Sequence, residues 1–414
     1  MIRHNANAPI DPAADAALLL RRIGFATLAL ALPIASLVSR RAAVVLAPIG
    51  VALLIISSLI EERGQFGRNL RDSLLSRPGM ILMGLVAWAL LSLVWSPYTL
   101  SATEKATNLV LAVALGFCGA AALPERMRAS NLNLVPLGTG IAALFALALL
   151  VAGNMSAAGV SPGVERGVSV VLIMSWPAFA WLLSRARGLS ALGLALAVGL
   201  LAMTRFEDGE AVAMICGTVA FGAISANRVV AARAIAIIVA GLMLLAPLLP
   251  FLLMPIASRL PDDLALTLGI WADIVSREPI QLITGHGLDT VLRGRLTDSL
   301  PRDTPTTILF EFWYELGLVG AASAALCLYF AIKAAGQMAG ALAAGVAAAY
   351  VTAFALAVLG FATFQTWWLM TLASVALMFT AIARGQYRTE RPLAPLMPQP
   401  AVKSRPKAGG PASS

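Results

Sequence analysis

The sequence predicts an all-α, polytopic integral membrane protein of about twelve transmembrane helices, with one long outer loop between the ninth and tenth spans. Hydrophobic residues make up 59% of the 414 residues and charged residues only 12%, whereas roughly a quarter of an ordinary soluble domain is charged. The mean hydropathy is +0.84. The apolar residues lie in runs of about 16 to 23, close to the ~20 that cross a hydrocarbon layer of ~30 Å. A soluble globular protein is therefore excluded.

The apolar runs are continuous and rich in Leu, Ala and Val, whereas strands of a membrane barrel alternate in polarity. Helices are the spanning form that satisfies its own backbone hydrogen bonds within one segment. The predicted spans are residues 23–38, 42–60, 80–95, 107–122, 135–152, 168–183, 189–203, 211–224, 234–253, 308–332, 337–359 and 366–382.

Basic residues in the short connections predict the orientation, because cytoplasmic loops retain Lys and Arg. One alternate set of connections holds eleven of them, namely Arg63, Arg68, Arg71, Arg77, Arg126, Arg128, Arg185, Arg187, Arg228, Arg233 and Lys333. The opposite set holds five, namely Arg40, Arg41, Lys105, Arg166 and Arg205. We therefore expect the first set, and both termini, to lie in the cytoplasm.

The domain organisation follows from these spans. Residues 1–22 are predicted to be a cytoplasmic segment before an uncleaved first helix, and residues 23–384 the transmembrane domain, with 254–307 as a long outer loop. Residues 385–414 are Pro-rich and basic, which predicts a disordered cytoplasmic tail that attracts anionic membrane lipids. The arginines alternate with apolar runs instead of forming one basic face, so no nucleic-acid partner is expected.

The polar residues with potential chemistry gather in the outer connections. All acidic residues fall outside the apolar runs except Glu311 and Glu315, at the start of the tenth span. A transporter coupled to ions through intramembrane carboxylates is disfavoured on this ground. The outer connections hold Arg205 in the stretch TRFEDGE, and His286, Asp289, Arg293 and Arg295 in the long loop. Arginines there can bind an anion, or these charges simply face water and His286 occupies a tight turn.

Glu311 and Glu315 are four residues apart, and Thr307 precedes Glu311 by four. This spacing predicts one helical face directed towards the outer surface. Two carboxylates on one face can act as acid and base or position an arginine. Alternatively, the acidic residues favour a helix N-terminus through its dipole, with Phe310, Trp313 and Tyr314 in an interfacial aromatic belt.

Two segments carry a resemblance to a known family: GIWADIVSREPIQLITGHGLDT at 269–290 and TPTTILFEFWYELGLVG at 304–320. They resemble the O-antigen ligase and polymerase family of bacterial membrane glycosyltransferases. That family has IW, then P, then GxGLD before a long outer loop that ends in HPHN and a helix that reads ELGLxG. The matching residues are Ile270, Trp271, Pro279, Gly285, Gly287, Leu288, Asp289, Glu315, Leu316, Gly317, Leu318 and Gly320.

The resemblance implies a protein of the bacterial inner membrane whose loop 254–307 is periplasmic. It also implies a polyprenyl-diphosphate-linked glycan donor, a lipid or glycan acceptor, and a reaction that needs neither metal nor cofactor. Outer-face arginines would hold the diphosphate, since guanidinium groups bind phosphate oxygens bidentately and stabilise charge on the leaving group. Arg205 and Arg293 stand near the two expected arginine positions, and Arg295 is a third candidate. Asp289 and Glu315 are matching motif residues that we also place at the substrate site.

The chain departs from the family where the histidines are expected. It has Thr304, Pro305, Thr306 and Thr307 in place of HPHN, and a threonine hydroxyl does not titrate near neutral pH. His286 or Glu311 would then be the catalytic residue near the acceptor hydroxyl. Two alternatives remain: a relative that binds lipid-linked glycan or an envelope-assembly partner without catalysis, and a transporter or permease component.

Overall fold

The computed structural model describes residues 12–61, 63–154, 162–205, 209–259, 262–360 and 365–385, in which every regular element is helical. Residues 386–414 of the predicted tail, residues 1–11 of the predicted N-terminal segment and residues 206–208 of TRFEDGE lie outside the described residues. The main helices are α1 Pro12–Ser36, α2 Ala42–Glu61, α3 Arg63–Leu74, α4 Arg77–Leu91, α5 Thr99–Ala122, α6 Leu134–Asn154, α7 Pro162–Ser184, α8 Gly188–Met203, α9 Glu210–Ala226, α10 Arg228–Leu244, α11 Asp262–Arg277, α12 Thr290–Leu296, α13 Ile308–Ala335, α14 Gly340–Val358 and α15 Thr366–Gly385.

The helices make this chain a multi-pass membrane protein. Within the described ranges, nine helices are long and apolar enough to cross a membrane. A tenth candidate is α10 together with Ala246–Ile256, which bends by 62° at the break between them. Helices α8 and α9 are apolar but have only 16 and 17 residues. At ~1.5 Å per residue they fall short of a ~30 Å hydrocarbon layer, so the predicted count of twelve spans exceeds the number that length alone supports.

Two segments that were predicted to lie outside the spans contain helices. Helix α1 begins at Pro12, so part of the predicted N-terminal segment is helical and continuous with the first span. The loop at 254–307 is largely structured, since it contains the short helices Met254–Arg259 and Gln281–Thr284 as well as α11 and α12. Its polar composition resembled a loop, but α11 buries Leu268 and Trp271 against the bundle.

The bundle packs around α7. In the apolar 18-residue stretch of this helix, 83% of the residues are buried. One apolar core joins α7 to α1, α2, α6 and α15. A second core joins α4, α10 and α13 to the loop helices, with Trp271 edge-to-face on Phe310 at a centroid distance of 5.7 Å. Trp313 is also buried there and donates from its indole Nε1 to the Met243 carbonyl. Phe310 and Trp313 therefore belong to the core and do not form an exposed interfacial belt.

Helix α13 is broken at Gly317, whose φ of 63° and ψ of −163° are non-helical. The break releases carbonyl groups that would accept bonds from the next turn. Backbone N–H groups of His286 and Gly287 donate to the carbonyls of Tyr314 and Glu315 at 2.8 and 2.9 Å. A third carbonyl, that of Leu316, accepts from the Trp88 indole at 2.8 Å. Buried backbone groups must be paired, so this break fixes the 285–287 loop and α4 against α13.

Glycine is required on both sides of this contact. Gly285 has a φ of 75° and a ψ of 174°, a region that, like the conformation of Gly317, is essentially restricted to glycine. A Cβ on Gly285 would lie 2.3 Å from the Glu315 carbonyl oxygen, and one on Gly317 would lie 2.5 Å from the Ile283 carbonyl oxygen. The GxG and ELG elements are therefore two halves of one backbone contact.

We expect Gly285→Ala to lower the free energy of unfolding by about 3 kcal/mol or more, from backbone strain and the collision with Glu315. Thermal unfolding of the purified protein, followed by tryptophan fluorescence, measures this loss. The matched control is Gly269→Ala in α11, where nothing lies within 4 Å of the added Cβ. Alanine there should be neutral or stabilise by up to ~1 kcal/mol. Equal unfolding temperatures for the two variants would contradict the proposed contact.

Candidate functional site

A cavity of about 700 Å³ lies where the connections before α2 and α15 meet the first turns of α5, α7 and α13 and the loop helix α12. The lining residues lie in or next to five connections, those before α2, α5, α7, α13 and α15, and all five are in the set predicted to face outwards. The charged residues of the lining are Arg40, Arg41, Lys105, Arg166, Arg293, Arg295, Glu104, Asp289 and Glu311. Six cations thus face three carboxylates, which makes the cavity electropositive and suited to an anion.

Lys105 connects the cavity to the core through a chain of ion pairs. Its Nζ lies 2.9 and 3.0 Å from the two carboxylate oxygens of Glu315 and 3.7 Å from Asp289. Asp289 also accepts from Nε of Arg293 at 3.2 Å. Glu315 is fully buried, and one of its oxygens accepts the Val291 backbone N–H at 3.3 Å. These contacts hold α5, α12 and α13 together at the wall of the cavity.

Helix α12 is held in place at both ends. Asp289 precedes it in a left-handed conformation with a φ of 67°, which Asp tolerates better than most residues. After its last turn, the hydroxyls of Thr297 and Ser299 lie 2.8 and 3.1 Å from the Tyr98 hydroxyl. The hydrogen bonds with Ser299 and Thr297 hold the pKa of the Tyr98 phenol below its ordinary value. The arginines of α12 are therefore presented from a fixed element.

Arg166 and Trp367 form the opposite wall. The Arg166 guanidinium lies over the Trp367 ring at 5.7 Å from its centroid, within cation–π distance. The Trp367 indole donates to the Gln365 side chain at 2.7 Å. Both Gln365 and Trp367 also line the cavity, so this wall combines a cation, an aromatic ring and an amide.

The structure brings four of the seven predicted site residues to the cavity lining: Asp289, Arg293, Arg295 and Glu311. A fifth, Glu315, is buried behind the wall and pairs with Lys105. The predicted face of Thr307, Glu311 and Glu315 is therefore not directed to the outer surface as a unit. Its members differ in environment, because the Thr307 hydroxyl caps α13 by accepting from the Phe310 N–H, at 3.2 Å.

Arg205 and His286 do not line this cavity. The Arg205 guanidinium lies 3.2 Å from buried Glu210 and 3.9 Å from Glu165, beside the first turn of α7. Glu210 also accepts from the Ser169 hydroxyl at 2.5 Å. Glu165 precedes Arg166 in the sequence, but Arg205 pairs with Glu165 and Glu210 and is not part of the cavity lining.

His286 stacks on Tyr314 with a centroid distance of 3.9 Å. Its Nδ1 lies 3.0 Å from the Tyr314 carbonyl oxygen, and its Nε2 lies 2.5 Å from a carboxylate oxygen of Glu278. Both ring nitrogens are therefore occupied by acceptor oxygens of the protein, and His286 does not line the cavity. This geometry favours a role in holding the 285–287 loop over a role as general base.

The threonines that replace the family's histidine motif serve local structure and the lining. Thr304 is buried and donates to the Pro301 carbonyl at 2.7 Å. Thr306 lines the cavity. Neither hydroxyl can supply a base near neutral pH. The carboxylate of α13 that lines the cavity is that of Glu311.

Sequence reasoning missed four cations of the lining: Arg40, Arg41, Lys105 and Arg166. In the sequence they were noted only as basic residues of the outer connections, which hold fewer Lys and Arg than the cytoplasmic connections. That scarcity was itself the available signal, because cations retained against the topology bias need another reason for their presence. Within the described ranges, no group of three or more His, Cys, Asp or Glu side chains could hold a metal ion.

The fold and the cavity together define a multi-pass helical membrane protein with an electropositive site built from its connections. No protein-family model, curated protein or solved structure matches this chain. The similarity to O-antigen ligases therefore rests on the motif residues alone.

We expect Glu315→Gln to lower the free energy of unfolding by about 3 kcal/mol, because removal of one partner leaves a largely buried lysine charge without its closest counter-charge. Glutamine keeps an oxygen for the Val291 N–H. The double variant Lys105→Met/Glu315→Gln should recover most of the loss in the same thermal unfolding measurement. As a control, Asp298→Asn breaks an exposed pair with Arg302 and should change stability by less than ~1 kcal/mol. A double variant no more stable than Glu315→Gln would count against the pair.

Proposed function

We propose that this chain is an O-antigen ligase-like protein of surface polysaccharide or glycoconjugate assembly. In this proposal it binds a polyprenyl-diphosphate-linked glycan donor in the cationic cavity and transfers or polymerises the glycan onto a hydroxyl of a lipid or glycan acceptor. The observation that carries the proposal is the meeting of six cations and the Glu311 carboxylate in one cavity of about 700 Å³.

The position of the cavity supports a donor delivered by the membrane. Its lining includes the first turns of α5 and α13, which are candidate spans, and the apolar residues Val44 and Leu292. Leu292 is 51% exposed. A lipid-linked diphosphate needs both properties, because its phosphates require cations while its chain stays in hydrocarbon. We propose that this end of the bundle is periplasmic, with the chain in the inner membrane and both termini in the cytoplasm.

The chemical step follows from the groups present. The acceptor hydroxyl oxygen forms a bond to the anomeric carbon of the donor sugar, and the bond from that carbon to the diphosphate oxygen breaks. The electron pair leaves with the polyprenyl diphosphate, whose charge the arginines stabilise. The hydroxyl proton passes to the Glu311 carboxylate, as general base. Arg293 and Arg295 contribute to the anion site from α12.

A second candidate is a relative that binds lipid-linked glycan, or an envelope-assembly partner, without catalysis. The observation in its favour is the placement of His286, which does not line the cavity and whose two ring nitrogens both contact acceptor oxygens of the protein. A permease component is the third candidate, and transport is an outcome of the test below.

We expect Glu311→Gln to slow glycan transfer by about 10²- to 10⁴-fold, as for loss of a general base. Donor binding should not weaken, because the substitution removes a negative charge from the anion site. The measurement is release of polyprenyl diphosphate, together with donor affinity, for the full chain in nanodiscs. Glu104→Gln, a second carboxylate of the same lining, is the matched control and should retain transfer to within about threefold.

The remaining outcomes separate the candidates. If His286→Ala abolishes transfer while Glu311→Gln does not, Glu311 is not the base. A wild-type protein that binds the donor but never releases polyprenyl diphosphate supports the non-catalytic relative. Uptake of labelled donor into proteoliposomes supports transport.

A further inference from the structure

The cations of the cavity differ in whether the protein already compensates their charge. Lys105 lies against Glu315 and Asp289, and Arg293 lies against Asp289. This group of two cations and two carboxylates has no net charge. An anion that approaches Arg293 must therefore compete with a carboxylate only 3.2 Å from its Nε.

Arg40, Arg41 and Arg166 are not compensated in this way. None of the three forms an ion pair with any residue that the structure describes, and the contact of Arg166 is with the Trp367 ring. Arg40 and Arg41 occupy the turn between α1 and α2, while Arg166 lies in the first turns of α7. The three guanidinium groups reach one cavity from two elements whose helices pack in the same core.

The charge count supports a dianion at these arginines. Once the compensated group is set aside, the lining holds Arg40, Arg41, Arg166 and Arg295 against Glu104 and Glu311. The excess is two positive charges. A diphosphate that bridges a lipid and a sugar carries roughly one negative charge on each phosphate. Binding of that group would leave the lining close to neutral.

We infer that Arg40, Arg41 and Arg166 form the main clamp for the substrate's diphosphate, and that Asp289 weakens the contribution of Arg293. This inference rests on the proposed function, and it assigns the binding of the diphosphate to other arginines than those the sequence predicted. Arg205 is outside the clamp, because Glu210 and Glu165 hold it in a neighbouring cluster.

The test compares variants of the full chain in nanodiscs of zwitterionic lipid, with farnesyl diphosphate and inorganic pyrophosphate as probes. Arg40→Gln/Arg41→Gln should weaken binding of both probes by about tenfold or more, and Arg166→Gln by several-fold. Arg293→Gln should weaken it by less than about threefold. Arg126→Gln/Arg128→Gln is the control for net charge, because it removes two exposed arginines outside the cavity lining.

Asp289→Asn supplies a test in the opposite direction. Asparagine accepts the left-handed backbone at this position, and it removes the charge that compensates Lys105 and Arg293. We expect pyrophosphate to bind about three- to tenfold more tightly to this variant. A residue with a purely structural role would not raise affinity when it is replaced. Unchanged or weaker binding would overturn the compensation argument.

The outcomes distinguish the inference from the proposed function. If wild-type protein binds neither probe, both fail. If Arg293→Gln loses about tenfold while Arg40→Gln/Arg41→Gln stays within about twofold, only the clamp is refuted. A clamp for phospholipid headgroups is a further outcome that refutes it: anionic phosphatidylglycerol in the nanodiscs would then weaken probe binding to wild type but not to Arg40→Gln/Arg41→Gln. Variants are compared only as monodisperse protein with the wild-type unfolding temperature.

Discussion

The break of α13 at Gly317 is the constraint on which the rest of this end of the molecule depends. In a low-dielectric interior, released carbonyls must find donors, and the donors are His286, Gly287 and the Trp88 indole. The helix α12 begins shortly after the 285–287 loop. The bonds that fix this loop therefore also hold the start of α12 against α13, where the Val291 N–H donates to Glu315. A continuous helix would present no acceptors at this depth, and the loop would have no backbone partner.

The buried Glu315 carboxylate converts this backbone contact into electrostatics. Burial of a carboxylate costs several kcal/mol unless a counter-charge and hydrogen bonds accompany it. Lys105 supplies the charge from α5, and Asp289 extends the network to Arg293. The same interaction that joins three elements therefore compensates part of the cavity's positive charge, and the remaining cations are Arg295 and the arginines of α7 and the α1–α2 turn.

Much of the fold was predictable, and about half of the site. Most predicted apolar runs correspond to single helices because hydropathy is a local property of the chain, whereas the run 234–253 is divided by a 62° bend. The GxG and ELG elements were recognisable because a backbone contact that tolerates only glycine leaves a local pattern. Arg293 and Glu311 were also found in their expected region. Lys105 and Arg166 were not, because nothing near them in sequence indicates that they share a cavity with α12.

The sequence by itself determined that this chain crosses a membrane several times, since the length and polarity of a segment decide whether it can remain in hydrocarbon. It also contained the GxG and ELG motifs, but the contact between them was visible only in the structure. Only the tertiary structure decided which charges compensate one another and which remain for an anion. Coulomb energies depend on distances between side chains from different helices, and those distances are set by packing. That is why Arg205 and His286 lie outside the cavity while Arg40 and Arg41 line it.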